Sequence, residues 1–182
     1  MYFYFRSAGT IDEQGYVHIM SRSDDIINVA AHRLSTGSIE EVIATYAGVA
    51  ECCVVGMPDS HKGNVLLHDT LTWVSAGHVP LAFITTTHTH PTPTTFKDLN
   101  ALVRKQIGGI ATLAGVVTLE RIPKTRSGKT LRRVLREIVE KGLDGDWTSK
   151  LAVPATVEDQ SHVDWARDYV KEWMEQRTKA KL

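Results

Sequence analysis

Arg121-Ile122-Pro123-Lys124-Thr125-Arg126-Ser127-Gly128-Lys129-Thr130 lies between an apolar run, Val116 to Leu119, and an amphipathic one carrying Leu131, Val134, Leu135 and Ile138. The first run reads as a strand and the second as a helix over residues 130–141, so the stretch is a strand-to-helix loop. Seven cations occur from Arg121 to Arg136, at positions 121, 124, 126, 129, 132, 133 and 136. A loop of this charge with a glycine beside its last lysine suits close approach to an anion, phosphate first. Ser127-Gly128-Lys129-Thr130 has the ending of a P-loop, but that loop cradles phosphate on backbone amides and needs a glycine five residues before Gly128. Position 123 is proline, which has no amide hydrogen, and this argues against a P-loop. On local grounds a solvated basic loop capping a helix stays open beside the anion-binding reading.

Working outward, residues 9–15 read as a turn and Tyr16 to Met20 as a strand. Ser21 to Asp25 is a polar break, and Ile26 to Val29 a second short strand. Ser35 to Ser38 offer helix caps, Ser38 and Glu41 having capping-box spacing. The helix that follows buries Ile39, Val42, Ile43 and Tyr46 and stops at Gly48. Glu51 to Met57 is a buried strand, and Val65 to Val74 a further one. Residues 85–95, rich in Thr, His and Pro, read as a loop. Phe96, Leu99, Val103 and Ile107 recur at helical spacing up to Gly108. Residues 142–159 read as turn and linker, and Val163, Ala166, Val170 and Trp173 mark one side of a last helix. Strands and helices intermix, which predicts an α/β (α+β) fold with a small central sheet flanked by helices.

The chain has 182 residues, enough for one domain with a real core. Its formal net charge is zero, which argues against bulk attraction to nucleic acid or a membrane, so neither is expected as a partner. No run is long enough to span a bilayer, and residues 1–6 lack the features of a signal peptide. Cys52 and Cys53 are neighbours in an apolar run, so as strand residues they point to opposite faces and read as two buried thiols rather than a disulfide. His88 and His90 have no acidic or cysteine partners nearby, so no metal site is assigned to them. Asp24 and Asp25 read either as a carboxylate pair or as turn residues, the turn being favoured locally.

Taken together, these segments resemble the C-terminal domain of acyl-adenylate-forming enzymes, in particular the short-chain acyl-CoA synthetases that use acetate or propionate. The stretch from Gly15 through Ser21-Arg22-Ser23-Asp24-Asp25 to Arg33-Leu34-Ser35-Thr36 resembles that family's hinge motif, and Ile122 to Lys129 its catalytic-lysine motif. Val54-Val55-Gly56, Lys62-Gly63 and residues 104–108 fall where the family has comparable runs. The resemblance spans about residues 2–160. Within it, residues 8–13 and 153–159 are most similar to the propionate-using branch. It implies residues 1–21 as a remnant of the large AMP-binding domain, 22–145 as the C-terminal lid domain, and 146–182 as linker and C-terminal helix.

The implied reaction has two halves. A carboxylate attacks the α-phosphate of ATP, releasing pyrophosphate; the thiol of CoA then displaces AMP from the acyl-adenylate. The resemblance makes Lys129 the catalytic residue of the first half, Asp24 the hinge, Arg22 and Arg33 nucleotide contacts, and Ala30, Ala31 and Arg104 CoA contacts. ATP, CoA and Mg2+ are implied for the parent enzyme, none of them tightly bound to this chain. The implied partners are a short-chain carboxylate and the missing N-terminal AMP-binding domain, supplied in cis or in trans. The compartment is left between cytoplasm and mitochondrion.

Three departures stand out. The family's ribose-binding Asp aligns with Phe5-Arg6-Ser7, and a serine cannot make the paired, charge-assisted contact of a carboxylate. The family's Gly before the His-Arg pair is Ala31. Tyr46 stands where some relatives use a histidine at a cation site, so no such site is assigned. The expectation is therefore a piece of a ligase, inactive as an isolated chain; the alternative is a non-catalytic binding or regulatory module that keeps the fold. An in-frame adenylation domain encoded upstream would favour the ligase.

Overall fold

The computed structural model describes residues 7–22, 26–29, 32–59, 77–87 and 95–179. Two hairpins come first: β1 (Ser7–Ile11) pairs antiparallel with β2 (Val17–Arg22), and β3 (Ile26–Val29) with β4 (His32–Ser35). Asp12 closes the first turn, its Oδ1 accepting the amides of Gln14 at 3.0 Å and Tyr16 at 2.9 Å. Helix α1 (Thr36–Ala44) follows directly, then the long strand β5 (Val49–Pro58). Strand β6 (His78–Thr86) and helix α2 (Thr95–Gln106) come next, then a 3-10 turn at Gly109–Ala111 and strand β7 (Gly115–Thr118). Helices α3 (Arg132–Leu143) and α4 (Gln160–Lys179) complete the described chain.

β5, β6 and β7 form a three-stranded sheet in that order, β5 and β6 antiparallel, β6 and β7 parallel. The two faces of this sheet support separate cores, because successive side chains of a strand point to opposite sides. On one face Cys53, Val55, Met57, Leu81, Phe83 and Val117 pack against Val134, Leu135 and Ile138 of α3 and Val163, Ala166 and Val170 of α4. On the other, Val54, Ala82 and Ile84 pack against Ile39 and Ile43 of α1, Leu99 and Val103 of α2, and Ile27 and Val29 of β3. The register puts Cys53 opposite Phe83 and Val54 opposite Ala82, which keeps each layer continuous across the strands. A small mixed sheet between helical layers is the expected fold class.

Several local expectations change. Residues 78–84 were not anticipated as a strand, yet β6 is the central one and is buried along nearly its whole length. Residues 85 and 86, expected in a loop, are its end. Pro80, which normally keeps to sheet edges, sits within it opposite Gly56. His32 to Ser35, not anticipated as a strand, form β4. Ser38 is inside α1 rather than at its cap: the N-cap is Ser35, which makes no side-chain capping bond, and the helix ends at Ala44 instead of running to Gly48. α3 starts at Arg132, two residues later than expected. Phe96 is exposed, while Leu99 and Val103 of the same pattern are buried. Cys53 is buried, but Cys52 only half so. The strand expected over residues 65–74 and the His88/His90 pair lie outside the described residues.

Candidate functional site

The basic loop is a tight hairpin. Lys124 bridges Thr130 antiparallel, the Thr125 amide donates to the Lys129 carbonyl at 2.8 Å, and the Gly128 amide donates to the Thr125 carbonyl at 2.8 Å. Gly128 has φ +80°, a left-handed conformation that a side chain would strain, and this is the reason for a glycine here. The Lys129 amide donates to Thr125 Oγ1 at 3.1 Å, and Thr125 Oγ1 shares a hydrogen bond of 3.0 Å with Ser127 Oγ. The Leu131 amide donates to the Pro123 carbonyl at 2.9 Å. Ile122 and Leu131, both buried, root the two arms in the core.

This geometry separates the anion-binding readings. In a P-loop the backbone amides point outward at phosphate, but here those of Thr125, Arg126, Gly128, Lys129 and Leu131 are all used inside the protein. The loop therefore presents side chains to a ligand. Its cations do not act as one patch. Lys124 Nζ lies 2.5 Å from Glu51 Oε1 of β5, and Arg132 forms an ion pair with the half-buried Glu40 of α1. The first ties the loop's base to the sheet, the second the start of α3 to α1. Lys129, at the tip, is exposed and makes no ion pair among the described residues.

Glu40 has a second task. One edge of β5 pairs with β6 and the other has no strand partner among the described residues; there Glu40 Oε1 accepts the Val54 amide at 2.7 Å. The Cys52 thiol donates to the Glu40 carbonyl at 3.3 Å. Burial, with the Glu40 charge behind it, pushes the Cys52 thiol up to about 11 and the Cys53 thiol up to about 12. Neither has the electropositive, lowered-pKa setting of a nucleophilic cysteine.

The other expected site residues are spread over the molecule. Arg33 is exposed on β4, opposite Asn28 of β3, and Arg104 is exposed in the last turn of α2. Their elements are anchored in the core of the α1/α2 face through Leu34 and Val103, whereas the Lys129 loop is rooted in the core of the α3/α4 face. The structure thus brings Lys129 together with neither arginine. Arg22 ends β2, and its backbone pairs with that of Ser7. Asp24, Ala30 and Ala31 lie outside the described residues. Among the described residues no group of three His, Cys, Asp or Glu side chains could hold a metal ion, and no helix is long and apolar enough to cross a membrane.

One feature of the site was not visible in the sequence. A polar groove beside the loop is bounded by Glu51, Thr85, Lys124, Gly128, Glu158 and His162. These residues come from four distant stretches of chain, so spacing alone could not assemble them.

A small mixed sheet between helices, carrying a strand-to-helix hairpin that exposes one lysine, is the fold found in adenylate-forming enzymes. The family model of the AMP-binding enzyme C-terminal domain matches residues 38–68 and 74–129, ending on Lys129. The chain belongs to that family, and its relatives are acetyl-CoA synthetases and short-chain acyl-CoA synthetases. It is 39% identical over 158 residues to an acyl-CoA synthetase short-chain family member B, mitochondrial, of Dictyostelium discoideum, covering 86% of this chain and 20% of that protein. It is 40% identical over 149 residues to an acetyl-coenzyme A synthetase of Sodalis glossinidius, covering 81% of this chain and 21% of that protein. The fold is similar to that of an anthranilate CoA ligase, AuaEII, in complex with anthranoyl-AMP, with a TM-score of 0.62, 21% identity, and coverage of 76% of this chain and 24% of the ligase. The chain thus spans about a fifth of the length of the curated relatives it matches.

Proposed function

We propose that this chain is the C-terminal, catalytic-lysine-bearing part of an ATP-dependent short-chain acyl-CoA ligase, which converts acetate or propionate, ATP and CoA to acyl-CoA, AMP and pyrophosphate. The observation that carries the reading is the placement of Lys129: an exposed ammonium on a hairpin whose backbone is tied at both the amide and the carbonyl of that residue. In this reading the ammonium bridges the attacking carboxylate and the α-phosphate. It offsets the repulsion of two anions as they meet and the charge that grows in the transition state. The fixed hairpin lets it arrive without a large loss of backbone freedom.

Exposed, unpaired cations suit the implied ligands, ATP and CoA, both of which are polyanions. Arg33 would meet nucleotide oxygens and Arg104 would meet CoA, each with a fork of donors suited to phosphate. That these arginines and Lys129 hang from opposite faces of the sheet supports a two-position domain. One orientation presents Lys129 for adenylation; rotation about Asp24 then presents Arg104 and the Ala30-Ala31 edge for thioester formation. We take residues 22–145 as the moving lid and residues 146–179 as an extension packed on it through Leu151, Val163, Ala166 and Val170. Its partner is the N-terminal AMP-binding domain. The experiment is a split assay on a full-length synthetase that has this segment as its C-terminal part. Lys129→Ala should abolish adenylation and spare thioester formation from supplied acyl-adenylate.

A further inference from the structure

The segment between α3 and α4 contains no helix and, apart from one isolated bridge, no strand, yet it is bound closely to the lysine hairpin. Thr125 and Val157 form an antiparallel bridge. On either side of it the Arg126 amide donates to the Thr156 carbonyl at 2.9 Å, and the Glu158 amide donates to the Lys124 carbonyl at 2.9 Å. Residues 124 and 125 are thus held from two directions, by Thr130 and Lys129 on one side and by residues 156–158 on the other. The far side of the segment is fixed in turn. The Glu137 carboxylate of α3 accepts the Ala152 amide at 3.1 Å, Leu151 is buried in the core, and α4 begins two residues after Glu158 with Val163 fully buried.

We infer that residues 154–158 are a positioning strap for Lys129, so that the C-terminal extension belongs to the adenylation machinery. This rests on the reading of Lys129 given above. The hairpin makes only a few bonds of its own around a left-handed glycine, and a two-stranded turn of this size is marginal in water. Adding a third backbone segment converts it into a narrow three-stranded arrangement. The Thr125 hydroxyl, which accepts the Lys129 amide, sits on the middle of the three. Thr125 is then the positioning residue through which the strap acts, and it touches no substrate itself.

The test is amide hydrogen exchange on the 182-residue chain, followed by the split assay. In the unaltered chain the amides of Arg126, Lys129 and Glu158 should share one protection level, at least roughly tenfold above that of Ser127 at the tip. Glu158→Pro removes the donor to Lys124. It should speed exchange at Arg126 and Lys129 by about tenfold or more while Cys53, Ala82 and Leu135 keep their protection. Unprotected Arg126 and Glu158 amides in the unaltered chain would overturn the strap whatever the variant does. So would a Glu158→Pro chain that folds with Lys129 exchange unchanged. In the full-length synthetase, Glu158→Pro should lower kcat for adenylation about tenfold and leave the KM for CoA in the thioester half unchanged; an equal effect on both halves would contradict positioning. If Lys129→Ala itself leaves adenylation intact, the reading of the lysine fails, while the exchange result still decides whether the strap exists.

Discussion

At the tip of the lysine hairpin, Gly128 holds φ +80° with no atom within 4 Å of where a Cβ would lie. The requirement for glycine is conformational, not steric. Gly128→Ala should therefore fold normally but lose about 1 kcal/mol of stability in urea denaturation, with Gly128→Asn losing less because asparagine tolerates the left-handed region. A loss as large as a core truncation would contradict this. The two thiols make a second prediction at this scale. Burial raises Cys52 to about 11 and Cys53 to about 12, whereas both ionise near their ordinary value of 9.0 once unfolded. Their contribution to stability is intact below that unfolded value and drains as pH rises from it toward the folded ones. Unfolding free energy measured from pH 8 to pH 10.5 should fall more steeply for the unaltered chain than for Cys53→Ala, and parallel slopes would count against it. Both cysteines should also resist alkylation in the folded chain at neutral pH.

Among the elements, α1, β5 and α3 are joined by one side chain. Glu40 accepts the Val54 amide at the β5 edge away from β6 and the Arg132 guanidinium at the start of α3. Removing it takes the acceptor from the Val54 amide and an ion-pair partner from Arg132, so Glu40→Ala should cost about 2 kcal/mol. Glu40→Gln, which keeps an acceptor for Val54, should cost less; equal losses would mean that the Val54 hydrogen bond contributes nothing. Gly115 of β7 is fixed by packing, since a Cβ there would come within 2.2 Å of the Trp173 ring on α4. Gly115→Ala should cost about 1–3 kcal/mol by overpacking, read as a lowered Tm.

The elements also show what the sequence could and could not reveal. The helical spacing of Leu99 and Val103, and of Val163, Ala166 and Val170, survives directly as buried faces, because a helix's pattern is local. β6 was missed although Leu81-Ala82-Phe83-Ile84 is an unbroken apolar run. Pro80 in front and the threonines behind resembled loop chemistry, and only burial on both faces, set by distant helices, makes the run a central strand. The hairpin itself could be placed from Gly128 and Lys129. Its partners Glu51, Glu40 and residues 156–158 could not, since nothing in local spacing joins them.

For the whole molecule, one sheet with two cores lets a small domain carry Lys129 on one face and Arg33 and Arg104 on the other. In the proposed reading this domain closes upon an N-terminal AMP-binding domain. The purified chain, given propionate or acetate, ATP and magnesium, should show no pyrophosphate exchange, and clear turnover would mean that the reacting site is complete within these residues. The central claim is the division of labour that the two faces imply. Its most direct test is Lys129→Ala in a full-length synthetase carrying this segment, with the two half-reactions measured separately. The account predicts that adenylation falls at least about 100-fold, while thioester formation from supplied acyl-adenylate stays within a few-fold of the parent enzyme. Equal loss of both halves, or an adenylation rate that does not change, would contradict it.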